Sequence, residues 1–577
     1  MATEGGFAPE RALVQSDGDT SGAGAFIELE IDRGRLQAIV DEAGVVLMRT
    51  AFSTIVRESK DFTCAILTID GGTVVQSAQS IPAFLGTITH TAREILTQYS
   101  LAEWKPGDII GTNDPWLGTG HLFDLTLFAP VFVDGKIVAL AGVVAHLPDV
   151  GGRGRDAAAA EIFEEGLRVP PIRFASNQGL DVALSRLIQA NVRLPEQVMG
   201  DISALLNSLG KIAERLASLC AEITIERFHY TCRELAKRTE AYMRNAILTI
   251  PDGTYQSILA AERIGHLSFT VKLHVTIEGD RVLVDFAGSS PQVPAGVNVA
   301  LSFTTAYTVY GLKCLLAPAL PLNEGIFAPI QVIAPAGSIV NSRFPAAGSA
   351  RSSVGHFIPT LLFDALAEVV PHDCIAECGA PRPLLNLRGT DTDRGAFSPL
   401  IIAAGGFGAR STKDGPSCLA FPTNTECAPI EMIEATAPVL FREKELITDS
   451  GGAGLFRGGL GQRVVVECLA DHAEAFVRAQ RLRRPAKGIL GGRPGGLAAI
   501  IVNGKAVYSP LRKIRLRKGD TIAIHSPGGG GYGTPTSRAR DLVTEDVQNG
   551  YVSSEKAVAL YGAQLEKGAV KEGVGDD

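Results

Sequence analysis

The chain has 577 residues, 46% of them hydrophobic and 20% charged, with a formal net charge of −8. That is ample apolar material for a large core, and by length alone roughly three or four domains' worth. A mildly acidic chain without blocks of like charge has no global attraction for nucleic acid or an anionic membrane.

In chain order, residues 1–24 lack a basic segment followed by an apolar one, so they read as a flexible tail rather than a secretory signal. FIELEID (26–32) starts extended, and RLQAIVDEAGVVLMRTAF then spaces apolar residues three and four apart, as an amphipathic helix does. FTCAILTIDGGTVV (62–75) reads as two short strands around an Asp-Gly-Gly turn. LTLFAPVFV and KIVALAGVVAHL flank the turn Asp134-Gly135 as a second hairpin. These lie in an α/β region, 25–177. Residues 178–246 form a long-helix tract with periodic apolar residues and i,i+4 charge pairs. An α+β region (247–400), a glycine-rich β region (401–535) and a helical, exposed tail (536–577) follow. The expected class is α+β: a large mixed, multi-layer protein with β-hairpins and a central helical tract.

The nine cysteines are scattered and odd in number, which argues for reduced thiols in the cytoplasm rather than a disulfide framework. Cys374 and Cys378 stand four apart with no second pair to complete a zinc site. No apolar run reaches the ~18 residues of a spanning helix.

The densest set of chemically capable residues is NDPWLGTGHLFDLTLFAPVF (113–132) followed by HLPDVGG (146–152). His-x-x-Asp occurs twice, as His121/Asp124 and His146/Asp149, at the two ends of the second hairpin. Imidazole and carboxylate together suit zinc, manganese or ferrous iron. A hairpin would bring the four side chains face to face. Asp114 is the best further acid, as ligand or orienting group, and Glu164 or Glu165, near the start of EIFEEGLRVPPIRF, is a candidate base or ligand. The glycine clusters at 405–408, 449–461, 488–496 and 526–533 fit neither GxxxxGK[ST] nor a dinucleotide fingerprint. They read as tight turns, with Arg457, Arg481, Arg484 and Arg493 among them as possible contacts for an anionic intermediate. Ser450 in Asp-Ser-Gly-Gly has no compatible His and Asp context for a protease triad.

On these residues the chain closely resembles the hydantoinase B family. That family includes the B subunit of N-methylhydantoinase, the C-terminal half of ATP-dependent 5-oxoprolinase, caprolactamase, and the large subunits of acetone and acetophenone carboxylases. The landmarks run in order over about residues 25–535: RESKDFTCAI (57–66), the two segments above, EEGLRVPP (164–171), NVRLPEQVMGD (191–201), LPLNEGIFAPI (320–330), DSGGAGLFRGGLG (449–461), GGRPGG (491–496) and PGGGGYG (527–533). The resemblance implies a hydantoinase-A-type partner that binds ATP and activates the substrate. It also implies a divalent metal site mapping onto His121, Asp124, His146 and Asp149. The expected activity is ATP-dependent opening of a hydantoin, 5-oxoproline or lactam, with Asp114 or Glu164 as base or orienting group. A ketone carboxylase and a non-catalytic scaffold subunit are the alternatives. One departure stands out: where the family often has Pro-Val-His-Leu-Gly, this chain has Pro82-Ala83-Phe84-Leu85-Gly86, and phenylalanine can neither ligate nor carry a proton.

Overall fold

The computed structural model describes residues 20–260, 268–380, 383–392, 394–419, 421–507 and 511–563. Residues 1–19 of the expected N-terminal tail and 564–577 of the C-terminal one lie outside that set.

Its centre is a seven-stranded antiparallel sheet built from β1 (Phe62–Leu67), β2 (Thr73–Gln76), β3 (Ile109–Thr112), β4 (Asp124–Val133), β5 (Lys136–His146), β6 (Ile172–Ser176) and β7 (Gly179–Leu180), in the order β2-β1-β5-β4-β3-β6-β7. Both expected hairpins are present. Asp134 and Gly135 join β4 to β5 with φ of 48° and 77°, the paired left-handed conformation that a two-residue hairpin turn requires. β4 and β5 are buried on both faces, which is why their sequences are nearly continuous apolar runs rather than alternations.

The two faces feed separate cores. Cys64, Ile66, Leu125, Leu127, Val143 and Ala145 pack against the helices Thr20–Thr50 and Pro195–Ile223. Those helices present Leu36, Val40, Ala43 and Leu47, and Val198, Ile202, Leu205, Leu209, Ile212 and Leu216, an i, i+3/i+4 stripe in each. Residues on the other face, Ala65, Leu67, Phe128, Leu140 and Val144, pack with the helices Thr87–Gln98 and Leu301–Leu316 and with a second sheet. The long-helix tract is thus a layer laid on the central sheet.

FIELEID is helical, not extended. Leu29 and Asp32 are buried while Ile27 and Ile31 are exposed, so the buried positions 29, 32, 36, 40, 43 and 47 continue one helical stripe. The alternation of Ile, Glu and Leu imitates a strand only over five residues.

The second sheet comprises β8 (Gly253–Ala260), β9 (Thr270–Glu278), β10 (Arg281–Asp285) and β11 (Ile330–Ile333), with β10 and β11 parallel. Two five-stranded sheets complete the C-terminal part. One comprises β12 (Leu384–Asp391), β13 (Gly395–Phe397), β14 (Leu400–Ile402), β17 (His472–Arg478) and β20 (Leu511–Arg517). The other comprises β15 (Val439–Leu446), β16 (Gln462–Cys468), β18 (Ala499–Val502), β19 (Lys505–Ala506) and β21 (Thr521–His525).

The glycine clusters are not mainly turns. Only Gly491 and Gly533 among them have positive φ. The others run as extended segments packed backbone to backbone: a Cβ on Gly528 would lie 1.7 Å from the Ser450 carbonyl oxygen, and one on Gly406 1.8 Å from that of Gly459. Hydrogen bonds cross between segments, from Gly406 N to Pro527 O, Gly459 N to Phe407 O, Gly529 N to Gly459 O and Gly530 N to Glu377 O. Glycine is used here for closeness of approach. Two of the arginines interspersed in this bundle are taken by internal ion pairs, Arg457 with Asp546 at 3.2 Å and Arg481 with Glu377 at 2.8 Å. Ser450 is a bracing hydroxyl, donating to Ile447 O and accepting from Gly461 N.

All nine cysteines are free. Cys374 and Cys378 are buried, their thiols pushed up to about 12 by desolvation, the opposite of a metal-ready thiolate. No helix among the described residues is long and apolar enough to cross a membrane.

Candidate metal centre

The hairpin register builds the site. Asp124, first residue of β4, is paired directly with His146, last residue of β5, and directly opposed residues project from the same face. The His146 Nδ1–H donates to Asp124 Oδ1 at 2.7 Å. His121, in the bend leading into β4, places Nε2 2.9 Å from Asp124 Oδ2. Ligating atoms of His121, Asp124 and His146 all lie within 4.8 Å of one another. Among the described residues no other set of His, Cys, Asp and Glu converges in this way.

Charge and burial decide what this cluster can hold. All three side chains are at most 5% exposed. Burial, reinforced by the Arg351 guanidinium, holds His121 well below the ordinary imidazole range. Burial, with Arg155, lowers His146 too. Both rings are therefore neutral imidazoles, and His146 would ligate only by giving up its contact with Arg155 or with Asp124. Burial alone would raise Asp124, but its contacts with His121 and His146 outweigh that and keep it ionised. Arg351 Nη2 donates to Asp124 Oδ2 at 3.0 Å, and Thr119 Oγ1 donates to the same oxygen. Arg155 Nη2 donates to His146 Nε2 at 2.6 Å and its guanidinium lies 4.7 Å over the Phe123 ring, itself stacked on His146.

Neither ring nitrogen of His121 has a hydrogen bond, because the 2.9 Å contact to Asp124 is poorly aligned. A buried imidazole without partners is costly unless something else engages it. Two neutral imidazoles and a carboxylate are a donor set for zinc, manganese or ferrous iron, so the residues present fit a divalent ion. They face a cavity of about 20 Å³, space for roughly one water.

The other expected site residues are elsewhere. β5 ends at His146, and Pro148 turns the chain away, so Asp149 points from the sheet toward Arg193, whose Nη1 donates to it at 3.0 Å. Asp149 borders a different cavity, with Arg388 and Glu474. Asp114 accepts from Trp116 N and faces Arg168 at 3.3 Å. Glu164 closes a capping box with Glu161 and pairs with Arg153 at the surface. Neither Asp114 nor Glu164 lines the cluster's cavity.

The sequence matches the model of the family described as Hydantoinase B/oxoprolinase over residues 26–535. The chain belongs to that family. This hydantoinase B chain is 33% identical over 558 residues to an uncharacterized protein of Methanocaldococcus jannaschii, covering 94% of this chain and 96% of that protein. It is 29% identical over 574 residues to caprolactamase subunit beta of Pseudomonas jessenii, covering 95% and 97%. The crystal structure of the ATP-dependent caprolactamase of that organism superposes with a TM-score of 0.87 at 27% identity, covering 94% of this chain and 98% of the other. A nucleotide-free acetone carboxylase, 20% identical, shares the fold with a TM-score of 0.85, covering 94% of this chain and 80% of the other.

Phe84 falls at the wall of the cluster's cavity. It sits in a short 3-10 turn, Pro82–Phe84, is fully buried, and lines the cluster's cavity beside Ile81 and Ala83. The departure from Pro-Val-His-Leu-Gly thus alters the wall of the site itself. His90 is engaged at the Trp116 carbonyl, 3.2 Å away. Sequence reading missed Arg155, Arg351, Asp61 and His356, which share the cavity wall. Arg155 stands just beyond HLPDVGG, where a cation near a doubled His-x-x-Asp was a findable signal. Arg351 is 227 residues from Asp124 and carries no local mark.

Proposed function

We propose that this chain is the B-type subunit of an ATP-dependent, two-component amidohydrolase that opens a cyclic amide after an A-type ATP-binding partner activates it. The observation carrying this reading is the buried His121–Asp124–His146 cluster, with an unsatisfied imidazole, in a chain so similar to an ATP-dependent caprolactamase. The cytoplasm is the expected compartment.

His121, Asp124 and His146 would hold a zinc, manganese or iron ion. When bound, such an ion supplies Lewis acidity toward a substrate carbonyl. The chain's own residues do the rest. Arg351 fixes the Asp124 carboxylate, and the β4–β5 register fixes His146 against it. Arg155 and Arg351 place permanent positive charge at the cavity wall, matched to the negative charge that develops on a carbonyl oxygen under attack. The apolar wall of Ile81, Ala83 and Phe84 excludes water and strengthens those interactions.

The test is the purified complex of this chain with its A-type partner. Stoichiometric divalent metal, together with lactam-, hydantoin- or 5-oxoproline-dependent ATP hydrolysis and a ring-opened product, is the expected result. Ketone- and bicarbonate-dependent ATP hydrolysis with a carboxylated product would replace the reading with a carboxylase. Activity unchanged by His121→Ala in a metal-free complex would leave only a scaffold.

A further inference from the structure

A second cavity, about 930 Å³, adjoins the cluster. That is the size of a small-molecule site, where the space at the cluster holds about one water. Sequence neighbours divide between the two cavities. Ser80 lines the large cavity and Ile81 the small one, and Asn424 and Thr423 divide in the same way. Tyr310 and Tyr307, one helical turn apart with rings 6.4 Å from each other, face the large and small cavities respectively.

The chemistry of the large cavity is specific. Tyr310, Phe407 and Phe421 form an aromatic side, with Phe421 5.2 Å from Phe407 and 6.0 Å from Tyr310. Three cations line it. Lys60 is paired with Glu426 at 2.7 Å. Lys313 is 8% exposed and donates to the Pro318 carbonyl at 2.7 Å, with no carboxylate partner among the described residues. Among the described residues Arg410 Nε has no hydrogen bond and Nη2 makes a 3.4 Å contact to the Asp414 carbonyl, while the guanidinium lies 5.7 Å over the Phe407 ring. The acids on the wall are Glu426, already paired, and Asp373. Burial lowers the Lys313 ammonium, as expected where no counter-ion compensates it. A buried cation without a counter-ion is costly, and an anionic ligand removes that cost.

We propose that this cavity binds a small ring compound bearing one anionic group, the ring against Tyr310, Phe407 and Phe421 and the anion on Lys313 and Arg410. The binding does not depend on the function proposed above.

The test is calorimetric titration of the purified chain with benzoate and, separately, phenyl phosphate, alongside its metal content. At least one probe binds wild type. Lys313→Met and Arg410→Met each weaken it by about tenfold or more, and Lys313→Arg retains much of the affinity. The stronger probe tells carboxylate from phosphate. Arg410 is half-buried, so its variant reads the site even if Lys313→Met does not fold. No binding of either probe up to about 5 mM, or affinity unchanged in Arg410→Met and in folded Lys313 variants, overturns the proposal. Probe binding to a metal-free wild-type chain would sink the metal-based function and leave this site standing; metal without probe binding does the reverse.

Discussion

Two regions of this chain are dense in unusual residues, and the density serves different ends. At the open end of the β4–β5 hairpin, polar residues converge through side chains: Asp124 alone meets His121, His146, Arg351 and Thr119. In the glycine-rich third, residues converge by having no side chains, so that carbonyls and amides of four distant segments bond directly. Substitutions should therefore separate cleanly: the first region loses chemistry before it loses the fold, and the second loses the fold outright.

The largest effect is expected in the bundle. Gly528→Ala puts a methyl 1.7 Å from the Ser450 carbonyl oxygen, against the Ser450–Gly451 backbone and with no flexible side chain to yield. The cost should exceed about 4–5 kcal/mol, the range of severe overpacking. Insoluble protein, or a thermal midpoint lowered by many degrees, is the expected readout. A folded Gly528→Ala chain of near-native stability would mean that the glycines are spaced for something other than contact.

Next in size is Asp124→Asn. It removes a carboxylate that pairs with Arg351 and orders both imidazoles, at a cost of about 3–5 kcal/mol for a broken buried pair. Metal content should fall from one equivalent to none while the chain remains folded, as checked by elemental analysis and thermal melting on one preparation. Metal retained by Asp124→Asn would place the ion elsewhere.

Third is Glu165, 1% exposed, whose Oε1 accepts from Ser349 N at 2.7 Å while Oε2 has no partner. Burial raises its carboxyl from 4.5 to about 7. The folded chain then binds a proton that the unfolded chain has released between those values, so the contribution is complete below about 4.5 and lost as pH rises through about 7. Stability measured between pH 5 and 8 should fall with pH, and Glu165→Gln should flatten most of a change of about 3 kcal/mol. An unchanged slope in the variant would show that Glu165 is ionised throughout.

How far each region was legible follows from the same contrast. The hairpin was legible because apolar runs, the Asp-Gly turn and the counting of register are local, and counting places Asp124 opposite His146. The partnership with Arg351 was not, since nothing near residue 351 encodes a contact 227 positions away. The second His-x-x-Asp was legible as a motif but not as an arrangement: His121 and Asp124 enter a strand, whereas Asp149 leaves one beyond Pro148 and meets Arg193 instead. Glycine clusters were visible as clusters, but turn and close-packing uses look identical in one sequence. Only the φ angles and the backbone distances tell them apart.

The smallest expected effect concerns a residue singled out beside the site yet placed at the surface. Glu164 accepts from the backbone of Ala160 and Glu161 and pairs with Arg153 at 2.8 Å, with its side chain 37% exposed. Backbone hydrogen bonds, first that from Ala160, and then Arg153 hold its carboxyl below the usual range, so it is ionised at neutral pH and poorly suited to take a proton there. Glu164→Gln keeps an acceptor for the capping box and loses only a screened ion pair, worth about 0.2–1 kcal/mol. Metal content should be unchanged, and kcat of the reconstituted complex should stay within about twofold of wild type. A loss of a hundredfold or more, about 2.7 kcal/mol in the barrier, would bring Glu164 back as a base and require the 3-10 turn at Ile162–Glu164 to move toward the cluster during turnover.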